Sequence, residues 1–401
     1  MSTNSVSSSD SEDTLEEVPY WPFDSSTLKL SDGRSLELAD SISRLPTHKG
    51  PPIYMCRARL GMDGVVVKWS WSDARMHEAQ VVEHAANFAR ECGDVWVLDH
   101  LPNVVHYEER EASEGARTET GMLHVLVQEE LYPITELTTA AELGEAFLGL
   151  FKCYRWLYER YRIMHRDISF SNLKYRTIDG KVHGVLDGFN LAIYMDGQSS
   201  RFSPQNSLPF MALDLLESVP PAADYLYRYD LESIFYALLI VSCNYQDGKR
   251  IPPSTPLFSD WDELDSAAFF NWKLCFFTSV QHSNWEPTAQ FSGLYNLILY
   301  LRRLFRQGVY ARFQFSDQKF DDTGSVSYDG FDLNTLGGHV TFDLFENVLS
   351  AHLPPYSPRK TSAELPAMTS SLPPAATTTE SNLLPTVDSS KTGTSSGSEI
   401  S

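Results

Sequence analysis

A short polar loop near the middle of the chain carries residue types that suit phosphoryl transfer. The loop reads HRDISFSN, in which Asp167 is followed five residues later by Asn172. An aspartate in such a loop must reach the hydroxyl group that attacks phosphorus, and the asparagine must turn back to hold a metal ion on the phosphates. An ordinary polar loop that caps a helix is the alternative. The context favours catalysis, because a long predicted helix precedes the loop and a predicted hairpin follows it.

The hairpin leads to a second candidate for metal binding. Its strands are predicted at Leu173–Arg176 and Val182–Leu186, around a turn at Asp179 and Gly180, and Asp187 follows directly. Protein kinases, whose catalytic loop has the pattern H-R-D-x-x-x-x-N, place a metal-binding D-F-G after such a hairpin. Side chains alternate along a strand, so Asp187 reaches the metal only if the strand end slips or bulges. We predict that it does.

A lysine upstream is a candidate for binding phosphates. Lys68 ends the β-branched run VVVK, which has the form of the lysine-bearing strand V-A-I-K. A lysine at this place is otherwise a charge on an edge strand. Glu78, ten residues later, opens a predicted helix and would hold the lysine against the α- and β-phosphates. Glu83 on the same helix is the less favoured partner.

The elements that must position these residues change in type along the chain. Short β-like runs surround one helix at Glu78–Arg90, and helices dominate from Ala140 onward, including one from near Asp230 and one over Leu294–Phe305. This order predicts an α+β architecture with a small β-rich unit, a larger helical unit and a cleft between them. The predicted boundaries are an acidic tail at 1–18, the β-rich unit with an N-terminal extension at 19–130, the helical unit at 131–354, and a Pro/Ser/Thr-rich tail at 355–401. Both tails are expected to be disordered.

Composition excludes several classes of protein. The chain has 401 residues with 32 basic and 53 acidic side chains, a net charge of −21, which disfavours binding to nucleic acid or to an anionic membrane surface. Its five cysteines are widely spaced, which argues against a disulfide framework or a zinc ribbon. The longest apolar run, Ile234–Cys243, is half the length of a membrane-spanning helix, about 20 residues. No signal peptide is apparent, so we expect a soluble intracellular protein, cytoplasmic or nuclear.

Further kinase-like features follow downstream. The stretch SLPFMA, which begins at Ser207, resembles the kinase segment that forms the substrate-binding floor. Asp214 takes the place of the glutamate in A-P-E and is expected to pair with Arg302 or Arg303. Asp230 opens the most apolar helix, where a kinase aspartate accepts hydrogen bonds from the catalytic-loop backbone. A simple N-cap is its alternative role.

Taken in order, these motifs resemble the fungal-type protein kinase domain family. The resemblance rests on HRDISFSN, VHGVLDGFNLA, LPFMALDLL, YRYDLESIFYALL and VVVKWSWSDARMHEA, with LGGHVTFDLF near the C-terminus. It covers roughly Ser41 to Leu353. The family has aspartates at the positions of Gly188 and Asn190, and glycine at that of Ser171.

The resemblance implies a bilobal protein-kinase-like fold and ATP-dependent phosphoryl transfer to a serine or threonine hydroxyl of a protein. It makes Asp167 the catalytic base, and it makes Lys68 with Glu78 the phosphate anchor. Mg²⁺ would be held by Asn172 and Asp187. ATP would also be bound by Glu129 and Leu131, at the end of the strand LHVLVQ and just after it. The residues expected to have structural roles are His165, Arg166, Phe189, Asp230 and Ser207.

Two other functions remain open from the sequence. The segment Lys49–Met55 has one glycine, and no G-x-G-x-x-G occurs, so few backbone N–H groups are free to cradle phosphates. With Gly188 at the usual aspartate position, this favours a pseudokinase that serves as an interaction module for a protein partner. A small-molecule phosphotransferase also uses H-x-D-x-x-x-x-N, but the PFMA segment and Asp230 fit protein kinases better.

Overall fold

The structure of the chain is a computed structural model. It describes residues 26–45, 53–72, 77–111, 122–195, 208–217, 220–222, 224–252, 265–279, 285–318 and 327–358. The predicted tail at 1–18 lies outside these residues, and so do most of the predicted tail at 355–401, the segment 49–52 and Ser207.

The N-terminal part of the described chain is an antiparallel sheet. Its strands are β1 (Thr27–Lys29), β2 (Ser35–Leu45), β3 (Ile53–Leu60), β4 (Asp63–Ser72), β5 (Val104–Glu111) and β6 (Met122–Glu129). They form one six-stranded sheet in the order β1-β2-β3-β4-β6-β5. Neighbouring strands pair in register, for example Val67 with Val127 and Lys68 with Leu126.

Period-two alternation on β4 and β6 separates the core of the sheet from its functional face. Val65, Val67 and Trp69 are buried in an apolar cluster on one face. Successive residues of a strand point to opposite faces, so Lys68 of β4 lies on the other face. Gln128 of β6 lies on the same face as Lys68, because its neighbour Val127 pairs with Val67. This alternation brings a lysine and a glutamine side by side in the interior.

Helix α1 (His77–Cys92) is the α-helix of this part. Its buried positions Val81, Val82, Ala85 and Ala89 recur at helical spacing and join the large core of the chain. Glu78 lies in the first turn, where the helix dipole favours a carboxylate. The helix predicted at Glu78–Arg90 is thus confirmed with slightly wider bounds.

Helices are the longest elements of the remaining described chain. They are α2 (Ala140–Glu159), α3 (Tyr227–Asn244), α4 (Ser266–Thr278), α5 (Tyr295–Asp317) and α6 (Phe342–His352). Every residue of α3 is buried, and the helix contacts both α2 and α5. It is the centre of the helical part, and its length of 18 residues contains the apolar run Ile234–Cys243.

Short strands connect the helices. These are β7 (Tyr132–Pro133), β8 (Ile163–Met164), β9 (Leu173–Ile178), β10 (Lys181–Leu186), β11 (Ile193–Tyr194), β12 (Tyr245–Gln246) and β13 (Lys249–Arg250). β9 and β10 form the predicted hairpin, and their register is continuous up to the pair Leu186–Leu173. Strand β8, which precedes the hairpin in the sequence, pairs with β11, which follows it.

The predicted α+β class, with a smaller β-rich part before a larger helical part, is confirmed. One helix is longer than predicted: α5 continues to Asp317 instead of ending at Phe305. Val309 and Arg312 are buried beyond the predicted end, and this tertiary packing extends the helix. None of the helices in the described stretches is both long and apolar enough to cross a bilayer.

Candidate active site

Lys68 joins two carboxylates that come from different parts of the chain. Its Nζ lies 2.8 Å from Glu78 Oε1 and 3.1 Å from each carboxylate oxygen of Asp187. All three side chains are at most 5% exposed. Glu83, the less favoured partner for the lysine, is on the exposed side of α1. The predicted pair of Lys68 and Glu78 is therefore formed, and Asp187 joins it.

The charges of this cluster support one another. Burial alone would lower the pKa of Lys68, but Asp187 and Glu78 outweigh it and hold that pKa above its usual value. Burial would likewise raise the pKa of Asp187, and the neighbouring ammonium holds it below its usual value instead. For Glu78 burial dominates over the pull of Lys68, so its pKa is raised. The cluster thus holds a charged lysine facing an ionised Asp187.

Asp187 reaches the lysine without a bulge in the strand. Strand β10 ends at Leu186 without a register shift, so the slip predicted from the sequence is wrong. The Asp187 N–H donates to the Asn172 carbonyl at 2.8 Å, and the next residue, Gly188, takes a φ of +78°. A glycine accommodates this left-handed conformation without steric cost. The hydrogen bond from Asp187 to Asn172 thus continues the hairpin ladder, and the chain turns only at Gly188, so the Asp187 side chain reaches Lys68 without a slip of the strand.

The residues that differ from the family pattern fit this turn. A Cβ atom on Gly188 would lie 2.1 Å from Asn172 Oδ1, so an aspartate at 188 requires Asn172 to move. The Asn190 amide donates to Glu78 Oε2 at 3.0 Å, and the Gly188 N–H donates to Glu78 Oε1 at 3.1 Å. An aspartate at 190 would replace that donor with a second carboxylate.

His165 connects the catalytic loop to the same turn. The ring is fully buried, and burial lowers the pKa of His165 to about 4, so the imidazole is neutral. Its Nε2–H donates to the Asp187 carbonyl at 3.0 Å, which leaves Nδ1 to accept from the Asp167 N–H at 3.2 Å. The ring of Phe189 packs edge-on against His165 at 4.7 Å between centroids. Both residues thus have the structural place predicted for them.

Asp167 and Asn172 lie in direct contact. The Asn172 amide nitrogen donates to the Asp167 carbonyl at 2.7 Å and to its Oδ2 at 2.9 Å. This orientation leaves the amide oxygen Oδ1 free to serve as a ligand. Burial raises the pKa of Asp167 to about 7, although the bond from Asn172 opposes the shift. A carboxyl with a pKa near neutrality is suited to take up a proton.

Asp230 anchors the catalytic loop from the central helix. Its carboxylate accepts the N–H of His165 at 3.1 Å, the N–H of Arg166 at 3.1 Å and the hydroxyl of Tyr225 at 2.9 Å. The N-cap interpretation is excluded, because the cap position of α3 is Leu226. Arg166 has a φ of +68°, an unfavourable conformation that these hydrogen bonds stabilise.

The predicted nucleotide-binding residues lie where β6 ends. Leu131 is buried. The Glu129 carboxylate forms an ion pair with Arg176 at 2.7 Å and accepts a hydrogen bond from the N–H of Asn103 at 2.8 Å, so its side chain is part of a local network. Any contact of Glu129 with nucleotide would therefore use its backbone.

Gln128 is a site residue that the sequence reasoning missed. Its amide donates to both oxygens of Asp187, at 3.1 and 3.2 Å, and it is only 3% exposed. Strand alternation was the available signal, since Gln128 shares the face of the sheet that carries Lys68.

Asp214 pairs with different arginines from those predicted. Its partners are Arg228 and Arg312, the latter at 3.1 Å. Arg302 instead donates to the backbone carbonyls of Phe276 and Ser279. The prediction chose arginines by their position in the sequence, whereas the helical phase of α5 carries Arg312, ten residues further on, to the carboxylate.

The residues fit a magnesium ion by the chemistry of their donors. Asp187 offers a carboxylate and Asn172 an amide oxygen, which are hard oxygen ligands. Gly188 has no side chain between them, and its Cα lies against the Asn172 amide. Such a pair leaves the other positions of the metal to water and phosphate oxygens.

We expect Gly188→Ala to destabilise the protein more than Gly93→Ala. The two glycines have φ values of +78° and +77°, so both variants carry the same left-handed cost of about 1–2 kcal/mol. Only at 188 does the new methyl group also meet a neighbour, Asn172, because nothing lies within 4 Å at Gly93. Urea unfolding of both variants measures the difference. Equal losses of unfolding free energy would contradict the close contact.

We expect Asp230→Ala to cost about 1–3 kcal/mol of unfolding free energy, because it leaves buried N–H donors without an acceptor. The exposed Asp224→Ala is the matched control. Burial raises the pKa of Asp230 to about 6. The stability that comes from a raised carboxyl pKa is complete below the pKa of the unfolded state, about 3.9. It is lost as the pH rises through the pKa of the folded state.

The difference in melting temperature between wild type and Asp230→Ala should therefore be larger at about pH 5 than at about pH 8. Thermal unfolding followed by circular dichroism at both pH values checks this. A difference in melting temperature that is larger at about pH 8 than at about pH 5 would contradict the expected pH dependence.

Comparisons with known proteins agree with the geometry. The family model described as "Fungal protein kinase" matches residues 100–242, which is less than half of the chain but includes the catalytic loop, Asp187 and Asp230. No curated protein sequence matches the chain. Among solved structures, one titled "Structure of vaccinia related kinase 3" aligns with 14% identity and a TM-score of 0.45, over 84% of this chain and 91% of that chain. The family match confirms the resemblance predicted from the motifs, and the chain is similar to fungal protein kinases over residues 100–242.

Proposed function

We propose that the protein is an ATP-dependent protein kinase that transfers the γ-phosphoryl group to a serine or threonine hydroxyl. The observation that carries the proposal is the position of Asp187. The Asp187 carboxylate contacts Lys68 at 3.1 Å. The backbone N–H of the same residue donates to the Asn172 carbonyl. Asp187 thereby takes the place of the aspartate that the family pattern has at position 188.

In this proposal each charged residue has a separate task. Lys68, held by Glu78, binds the α- and β-phosphates as a cation. Asp187 and Asn172 would hold Mg²⁺, which would neutralise negative charge on the phosphates. Leu131 and the backbone of Glu129 contact the base of ATP.

Asp167 acts on the attacking hydroxyl. The amide of Asn172 fixes its carboxylate, and the raised pKa of Asp167, about 7, suits a group that takes the hydroxyl proton as the oxygen attacks phosphorus. The neutral ring of His165 and the carboxylate of Asp230 keep the loop in place beneath it. Both act through the backbone and not on the substrate.

A pseudokinase is the second candidate, and one observation favours it. The oxygens of Asp187 already accept hydrogen bonds from Lys68 and Gln128, so the carboxylate is satisfied without a metal. Such a protein would bind nucleotide weakly or not at all and would act through a protein partner.

We expect Asp167→Asn to reduce phosphate transfer to a generic protein substrate by at least about 100-fold, the contribution typical of a general base. ATP binding should change little, because Asp167 contacts neither Lys68 nor Asp187 in the structure. Asp179→Asn, in the exposed turn of the β9–β10 hairpin, is the control. Transfer is measured with radiolabelled ATP, and binding is measured by calorimetry. Transfer by Asp167→Asn at the wild-type rate would exclude the base, and no transfer by wild type would favour the pseudokinase.

A further inference from the structure

A segment after the catalytic loop is held in place by buried polar side chains. We call residues 208–213, which follow Ser207, the floor segment. The Phe210 ring packs edge-on against Phe170 of the catalytic loop, at 4.7 Å between centroids. From α3, the Ser233 hydroxyl donates to the Phe210 carbonyl at 2.7 Å, and Glu232 accepts the N–H of Leu213 at 2.8 Å. The floor segment is thus fixed beside the catalytic loop.

Lys273 of α4 makes three further hydrogen bonds to the floor segment. Its Nζ donates to the carbonyls of Leu208 at 3.3 Å, Pro209 at 3.0 Å and Met211. The side chain is fully buried, and its nitrogen lies 3.9 Å from the centroid of the Tyr236 ring. An ammonium has three N–H donors, and here three carbonyls accept them.

A fully buried lysine is unusual unless its charge is compensated. A carboxylate partner would compensate the charge without ordering any backbone. Here the hydrogen bonds of the ammonium go to three carbonyls within four consecutive residues, beside an aromatic ring, and the nearby Glu232 carboxylate adds electrostatic compensation. The lysine is therefore matched to one conformation of the floor segment.

We propose that Lys273 is a positioning residue for the protein substrate, which it serves by fixing the backbone of the floor segment. This inference rests on the proposed kinase function, because it assumes that a protein substrate binds along this segment. Lys273 touches neither nucleotide nor metal in this account. Its loss should therefore weaken substrate binding and leave nucleotide binding unchanged.

The test compares Lys273→Met, Lys273→Arg and the control Lys181→Met, whose lysine is exposed and pairs with Glu145. Burial lowers the pKa of Lys273 to about 7, so assays run at about pH 6.5, where the wild-type lysine has all three donors. For Lys273→Met we expect KM for the protein substrate to rise about tenfold, with kcat within about threefold and ATP affinity unchanged. Lys273→Arg keeps a cation with several donors and should restore KM to within about threefold of wild type.

Hydrogen exchange of the floor segment provides a readout that does not depend on activity. The Leu213 amide and its neighbours in residues 208–213 should exchange about tenfold faster in Lys273→Met than in wild type, and at the wild-type rate in Lys181→Met. If Lys273→Met does not fold, Lys273→Gln takes its place with the same expectation, because two donors replace three.

The outcomes separate the two proposals. Unchanged exchange in Lys273→Met, or faster exchange with an unchanged KM, overturns the positioning role. A rise in KM that Lys273→Arg does not reverse also overturns it, since the donors would then not be the cause. Absence of transfer in every form, wild type included, overturns the proposed function and the substrate half of this inference. The exchange data then still decide whether Lys273 holds the segment.

Discussion

The buried contact between one ammonium and two carboxylates joins three structural elements of the chain. Lys68 comes from the sheet, Glu78 from α1 and Asp187 from the turn after β10. Removing each charge from water costs several kcal/mol, and the cost is offset only while all three stay together. The sheet, the helix and the turn must therefore keep one arrangement. That arrangement also holds the catalytic loop beside the cluster, because His165 bonds to the backbone of Asp187.

The helical part contributes a second constraint, because the completely buried helix α3 carries polar side chains. Along α3, Asp230 holds the catalytic loop, while Glu232 and Ser233 hold the floor segment. Buried polar groups are costly unless they are hydrogen-bonded, and here their partners are backbone groups of loops. Two loops that lack regular structure thus acquire fixed positions relative to each other. One rigid helix sets the distance between the catalytic residues and the floor segment.

Sequence patterns predicted the class of fold, the hairpin, and the pair of Lys68 with Glu78. These depend on local spacing and on strand or helix periodicity, which a single sequence displays. The slip at the end of β10 was predicted wrongly, because the register of the hairpin continues to Asp187 without a shift. The arginine partners of Asp214 and the contacts of Lys273 depend on tertiary packing between distant elements. No local signal specifies such contacts.

The central claim is that Asp187 replaces the family's carboxylate at position 188 as the metal ligand. The most direct test is calorimetric titration of a non-hydrolysable ATP analogue with and without Mg²⁺, on wild type, Asp187→Asn and the control Asp179→Asn. We expect Mg²⁺ to raise affinity about tenfold or more in wild type and in the control, a gain of about 1.4 kcal/mol, and to have little effect in Asp187→Asn. The same Mg²⁺ dependence in Asp187→Asn as in wild type would contradict the account.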